Sequence, residues 1–359
     1  MDPQQIESMI EQGSQFIGIN PQNPKGYVVR GIGKLGKGDA DGAIVDFRKA
    51  LELDPDGKAF DAKRYLAGAL VYKAKMQPKA PEAPTAVGSL SQPAAVGSAP
   101  RLVKPASLKS TSIQLAANIT MDMVLIPAGD FDMGRAADCS VGFDDEHPRH
   151  FVRITRPFWL AQIPVTVCQW NAIMPDAPKE GSPWRPVDLV PWVSCVEFCR
   201  RVASKGFPLR LPTEAEWEYA CRAGSSGMFF WGNGEGADEA KPFAFTVEEC
   251  GKIEPGPEGK LLCMAPTDPP DVGQKRPNPW GQYDISGLVW EWCADWYSNG
   301  PYVAERPQDP KGPDTGTRRA VRGGCISEPI TRAASHAREA YPPDKPALHV
   351  GFRCAMNAS

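Results

Sequence analysis

A break in composition decides how this chain divides. Residues 77–112 carry alanine, proline and serine with few large apolar side chains, so they have little to bury and read as an extended, mobile linker. A chain of 359 residues interrupted in this way folds as two units. Residues 1–76 are rich in helix formers. From residue 113 to residue 359 tryptophan, glycine and short apolar runs take over, and the abundant glycine (34) and proline (37) call for many turns and few long helices there.

In the first unit, Ala43, Ile44, Phe47, Ala50 and Leu51 form the apolar stripe of a helix that Asp41 or a neighbour can cap and Pro55 stops. Pro21 stands 34 residues before Pro55, so residues 4–20 read as an equivalent helix, and residues 58–75 supply another with Tyr65, Leu66, Leu70 and Tyr72. Tyr27, Gly31, Ala43, Phe47, Ala50 and Pro55 stand at the spacings of a tetratricopeptide repeat. The segment resembles one such repeat flanked by half repeats. That resemblance implies a docking module, with Tyr27, Arg30 and Lys34 as partner-contacting residues; a plain helical hairpin is the bland alternative.

The charge balance excludes some roles. Forty basic residues stand against 43 acidic ones, a net charge of −3, so no basic surplus points to nucleic acid. The N-terminus MDPQQIESMIEQGSQF lacks a basic stretch followed by an apolar core, and no run of about 18 apolar residues occurs. The expectation is a cytoplasmic, bacterial protein without membrane contact. Ten cysteines are scattered without a CxxC pair, which argues against a zinc ribbon and for small buried hydrophobes.

The second unit reads as short strands and capped helices. MVLIPAGDFDMG gives strand, turn and strand; a helix begins near Thr166; and Thr213 precedes Glu216 by three residues, the spacing of a capping box, with Gly224 placed to close that helix. Nine motifs then occur in order. They are Ile126-Pro127-Ala128-Gly129 with Met133-Gly134, Asp145-Glu146-His147-Pro148, Pro164-Val165-Thr166 with Trp170, Arg210-Leu211-Pro212-Thr213-Glu214-Ala215-Glu216-Trp217-Glu218, Phe230-Trp231-Gly232, Asn278-Pro279-Trp280-Gly281 with Tyr283-Asp284, Trp290-Glu291-Trp292, Arg322-Gly323-Gly324 and Gly351-Phe352-Arg353. In this order they resemble the sulfatase-modifying-factor family, to which the formylglycine-generating enzymes belong. The resemblance covers about two-thirds of the chain. It implies an α+β, C-type-lectin-like fold with much irregular backbone, in which Trp217, Trp290, Trp292 and Trp296 fill the core. Glu291, Arg322 and Arg353 are costly to bury alone, so they are expected to be paired. Glu214, Glu216 and Glu218 read as builders of the fold rather than catalytic acids.

The same resemblance bears on chemistry. Formylglycine-generating enzymes hold copper between two cysteines a few residues after Arg-Gly-Gly, as soft thiolates select Cu(I). Here those places fall near Glu328 and Ala333, and Cys325 is the sole thiol of the stretch unless Cys293 or Cys354 folds beside it. Copper is therefore disfavoured. Only four histidines occur and none lies in the first unit, which speaks against a three-histidine iron site. The family's calcium site uses an asparagine where this chain has Leu288; Glu291 is retained as the remaining calcium candidate, with the acidic stretch Asp238 to Glu249 as another. The expected function is a non-catalytic protein- or ligand-binding adaptor in bacterial signalling or defence. Its ligand surface is expected on residues 325–349, with Glu328, Thr331, Arg332, His336, Arg338, Tyr341 and His349 as contacts. The alternatives are a divergent oxidase using Cys325 or a metal, and a variable ligand-binding protein of a diversity-generating retroelement.

Overall fold

The computed structural model describes residues 3–54, 62, 65, 66, 69, 108–139, 141–234, 236–250, 252–255, 261–264, 268–298 and 308–358. The expected linker lies outside these residues except for its last five, and from Ser110 onward they already form a strand. The chain divides into two compact units, Met1–Pro100 with Lys252–Met264, and Arg101–Gly251 with Ala265–Ser359. No described helix is long and apolar enough to cross a membrane.

Three helices of the first unit are described from end to end: α1 (Pro3–Ile19), α2 (Pro24–Gly36) and α3 (Ala40–Leu53). Asn23 caps α2, and Asp39, two residues before Asp41, caps α3 by accepting from the Gly42 amide at 2.8 Å. The helices approach closely where a side chain is missing. A Cβ on Gly13 would stand 2.5 Å from the backbone nitrogen of Arg30, and one on Gly31 would stand 2.6 Å from the Phe47 ring. Phe47 is fully buried, with Ala43, Ile44, Ala50 and Leu51 around it, and Leu66 and Ala69 join this core. Of the helix expected over 58–75, Ala62, Tyr65, Leu66 and Ala69 are described, and all four are helical.

The second unit is α+β. A five-stranded antiparallel sheet has the order β1 (Ser110–Ala116), β2 (Ile119–Ile126), β5 (Phe158–Ala161), β13 (Ala355–Asn357), β6 (Leu209–Arg210). The last strand of the chain thus lies inside the sheet that the first strands of the unit begin. A four-stranded sheet has the order β11 (Arg338–Tyr341), β10 (Arg319–Arg322), β9 (Trp290–Trp296), β12 (Val350–Gly351), with β12 parallel to β9. The hairpin β7 (Lys252–Pro255) with β8 (Leu261–Met264) belongs to the first unit; a further hairpin of the second unit is β3 (Gly129–Met133) with β4 (His150–Ile154). Three helices of this unit have clear sequence causes. Thr166 and Gln169 close a capping box on α4 (Val167–Ile173), Thr213 and Glu216 close one on α6 (Glu214–Arg222), and α5 (Trp192–Ala203) buries Cys195, Phe198, Cys199 and Val202 on one stripe. At the end of α6, Ala223 takes the left-handed conformation (φ 45°), and Gly224, the glycine placed to close the helix, follows at φ 88°.

Trp217, Trp290 and Trp292 are buried. Trp296 is not: β9 leaves the core at its end, and the indole instead stacks under the Arg319 guanidinium, 3.5 Å from the ring centroid. The core is crossed by paired charges. Arg353 makes a bidentate pair with Glu291 (2.6 and 2.7 Å) and donates to the carbonyls of Ala161 and Tyr283, while Trp217 Nε1 donates to the same carboxylate at 2.7 Å. Arg322 pairs with Glu218 and reaches Glu214; Glu218 also accepts from Arg222 Nε and the Gly134 amide, both at 2.8 Å. Arg338 is bidentate on Glu214 at 2.6 and 2.9 Å. Glu216 caps α6 and is bidentate with Arg210. All three glutamates of α6 are therefore structural.

Burial alone would raise the Glu218 carboxyl, but Arg222 and Arg322 beside it bring it down to about 2 from an ordinary 4.5. A depressed acid contributes stability above its unfolded pKa and loses it as pH falls through the folded one. Glu218→Gln should lower the unfolding free energy by about 3–5 kcal/mol at neutral pH, because it leaves buried guanidinium charge uncompensated. Urea titration measures that deficit, which should shrink as pH falls from about 4.5 toward 2.

Candidate functional site

The stretch from Arg322 to His349 is held from below. Gly324 turns the chain out of β10 at φ 72°, where a Cβ would stand 2.7 Å from the Arg332 carbonyl. Arg322 donates to the carbonyls of Ser335 (2.8 Å) and His336 (3.1 Å), and Arg338 donates to that of Asp145 (2.7 Å). The Ile326 amide bonds to the Leu288 carbonyl, the Ile330 amide to the Glu248 carboxylate, and the Ser335 amide to the Met228 carbonyl. Side chains and backbone carbonyls from elsewhere thus fix the irregular backbone between β10 and β11.

Glu328 accepts from Trp290 Nε1 at 2.8 Å and lies 4.0 Å from Arg332. Ala333 is 1% exposed. These residues stand where the resemblance places the copper cysteines, and a carboxylate already bonded to an indole beside a methyl group does not fit a soft-metal dithiolate. Cys325 contacts Ser327 Oγ at 3.2 Å, and that hydroxyl lies 3.0 Å from His349 Nδ1. The backbone N–H of His349 bonds to Asp188, whose carboxyl is raised by burial. Burial likewise pushes the Cys325 thiol far up, with the nearby Glu328 charge adding to it, so at neutral pH it is a thiol. Neither other candidate sulfur joins it. Cys354 lies 3.9 Å from Cys199, and Cys293 contacts the Glu291 carbonyl.

A second polar cluster flanks this stretch. Glu146 is fully buried, and its carboxylate lies 3.6 Å from Arg135 Nε, 3.8 Å from Arg332 Nη1 and 3.5 Å from His336 Nε2. None of these five polar atoms makes a hydrogen bond. Burial lifts Glu146 to about 7 against the pull of Arg332, and burial with the adjacent arginines holds His336 near 3, so the imidazole is neutral.

Most of the residues expected to contact a ligand turn inward. His336, Arg338 and His349 are buried. Arg332 lies between the Phe143 and Trp290 rings and reaches Glu339 at 3.3 Å. Tyr341 meets Trp292 edge-on, and Thr331, like Glu328 and Tyr341, is half-buried. The exposed large side chains near this stretch are Leu348 (57%), Val193 (48%) and Leu189 (42%). The Val193 amide bonds to the Pro343 carbonyl at 3.2 Å, and Asp188 bonds to His349, so the two segments that carry them run side by side. No periodic signal in the sequence could have selected these three. In the first unit, Arg30 and Lys34 both hold the buried Asp46 (2.6 and 3.0 Å), and Tyr27 donates to the Pro21 carbonyl, so the three residues expected to meet a partner bind α2 to its own unit.

The calcium candidate is also engaged. Both Glu291 oxygens are taken by Arg353, and Leu288 packs among Ile163, Phe245, Val272 and Ile326 in an apolar cluster. In the acidic stretch, Glu248 caps Ile330 and Glu249 pairs with Lys275. Among the described residues no three metal-ligating side chains converge.

The family profile "Sulfatase-modifying factor enzyme 1-like domain" matches residues 109–358. The chain belongs to that family. It is 36% identical over 216 residues to the formylglycine-generating enzyme of Thermomonospora curvata, a match that covers 56% of this chain and 64% of that enzyme. The chain therefore spans somewhat under two-thirds of that relative. It is 27% identical to the "Inactive C-alpha-formylglycine-generating enzyme 2" of Bos taurus, over 72% of this chain and 96% of the relative. Among solved structures it is similar to PvdO from Pseudomonas aeruginosa, with a TM-score of 0.58 and 25% identity over 69% of this chain and 98% of PvdO. The second unit is a formylglycine-generating-enzyme-type, C-type-lectin-like domain.

Glu146 gives a pH test. An acid raised on folding adds stability that is full below its ordinary 4.5 and is lost as pH rises through about 7. Glu146→Gln should abolish that loss, so its melting temperature relative to the parent should climb between about pH 5 and 8. Differential scanning calorimetry across that range measures the difference.

Proposed function

We propose that this chain is a non-catalytic binding protein on a formylglycine-generating-enzyme-type scaffold, an adaptor whose helical unit docks a second partner. The observation that carries this reading is the pair Glu328 and Ala333. Where the resemblance calls for two thiolates, the chain has a carboxylate bonded to Trp290 and a buried methyl group. The one thiol of the stretch, Cys325, is kept protonated by burial, which removes the nucleophile and metal ligand that a single-cysteine oxidase needs. The likeness to a relative called inactive fits the same reading.

The surface best suited to a partner is the exposed apolar group of Leu189, Val193 and Leu348. Three large aliphatic side chains on adjoining segments are costly to leave in water and are what a protein partner would cover. Leu189 and the buried His349 both hold positive φ, 53° and 55°, so the segments beneath this group are held in a conformation that non-glycine residues rarely adopt. The setting fits bacterial signalling or defence, where a binding domain joined to a docking module serves as an adaptor.

Two measurements test the reading. Copper(I) titration against a chromophoric chelator, with oxygen uptake on cysteine peptides, should find neither a stoichiometric tight site nor turnover. Tight copper that disappears with Cys325→Ala would overturn it. Parallel affinity purification with the parent and with Leu189→Asp/Leu348→Asp should recover a partner with the parent alone. The double variant should keep its melting temperature to within a few degrees, because both side chains are exposed.

A further inference from the structure

A cavity of about 800 Å³ opens in the second unit, and none of the residues assigned to the functional site lines it. That volume falls within the range of small-molecule sites. Part of its wall is apolar: the buried Phe158 of β5 and Leu209 and Leu211 around β6, with Trp192 and the exposed Val196 of α5 beside them. Its lining also includes three acids and four bases, and their pairing is uneven.

Each acid in the wall is already neutralised or engaged. Glu216 is bidentate with Arg210 at 2.6 and 2.7 Å and accepts from the Thr213 amide. Asp309 accepts from the amide and the hydroxyl of Thr155. Asp295 accepts from the Glu214 amide at 2.9 Å, and burial, with the Glu214 charge adding to it, lifts it to about 8, so at neutral pH it is mostly protonated. The bases differ. Arg210 and Arg200 are bidentate on Glu216 and Glu197, whereas Arg156 and Lys311 have no carboxylate partner among the described residues. The bonds between Asp309 and Thr155 tie together the two segments that carry Arg156 and Lys311, and both residues line the cavity.

We propose that this cavity binds a small amphipathic organic anion, with its carboxylate at Arg156 and Lys311 and its hydrocarbon body against Phe158, Val196, Leu209 and Leu211. The charge asymmetry selects the sign of the ligand: Arg156, Arg200, Arg210 and Lys311 line the cavity against the charged Glu216 and Asp309 and the mostly protonated Asp295. The apolar wall selects the body, because a hydrocarbon chain is favoured on leaving water for it. The paired arginines on the wall are not needed for recognition, because their hydrogen bonds are already made.

Isothermal titration of the full chain with octanoate, octanol and octylammonium tests this. Octanoate should bind at one site, and octanol, which has the same body without the charge, should bind about tenfold more weakly. Octylammonium should bind more weakly than octanol. Arg156→Glu/Lys311→Glu should abolish the preference for octanoate over octanol. Both residues are exposed, so the variant should retain the parent's melting temperature. Val196→Trp, which fills the cavity from a partly exposed position, should abolish binding of all three. Equal binding of octanoate and octanol by the parent, no octanoate binding at all, or octanoate binding that survives Val196→Trp would each overturn the proposal.

Discussion

The second unit rests on guanidinium groups buried against carboxylates. Arg353 lies where β9, β12 and β13 meet, and its five donors are spent on Glu291, on the Gln282 side chain and on the carbonyls of Ala161, Gln162 and Tyr283. Arg322 and Arg338 do the same around Glu214 and Glu218 on α6. A sheet can align strands only along its ladder. A planar fork of donors can tie together three or four irregular segments at once, and that is what a domain with so little regular backbone requires. The desolvation cost of such groups is offset only when every donor and acceptor is met, so the network holds or fails as a unit.

Much of this frame was legible in the sequence where the cause is local. The capping boxes at Thr166 and Thr213 follow from a three-residue spacing, and the stripe of α3 follows from its period. That Glu291, Arg322 and Arg353 must be paired follows from the cost of burying charge. Which acid meets which arginine does not, because Glu291 and Arg353 are 62 residues apart and only the folded chain brings them together. The cap of α3 falls on Asp39 rather than Asp41 because both residue types suit the role and geometry decides between them. Trp296 defeats composition as a guide, since an indole at a strand end can stack on Arg319 as well as fill a core.

The candidate stretch after Arg322 was the least legible part. Its fold and its departures from the copper chemistry could be read from motif positions, yet the outward-facing residues could not. A strand or helix advertises its two faces by a period of two or about 3.6 residues. Residues 323–337 follow neither, so His336 and Arg332 look like surface contacts in sequence while their side chains are buried or sandwiched between rings. The cations of the helical unit misled for a related reason. Arg30 and Lys34 stand on an apparently open helix face, and the buried Asp46 that claims them lies on the next helix.

Holding the 325–349 stretch from beneath has an evolutionary consequence. Its course is set by Arg322, Arg338, Glu248 and backbone carbonyls, none of which depends on what the outward side chains are. A residue such as Leu348 can therefore be exchanged without a toll on folding, while the anchors below cannot. A scaffold built this way separates the positions that folding must keep from those that selection is free to rewrite.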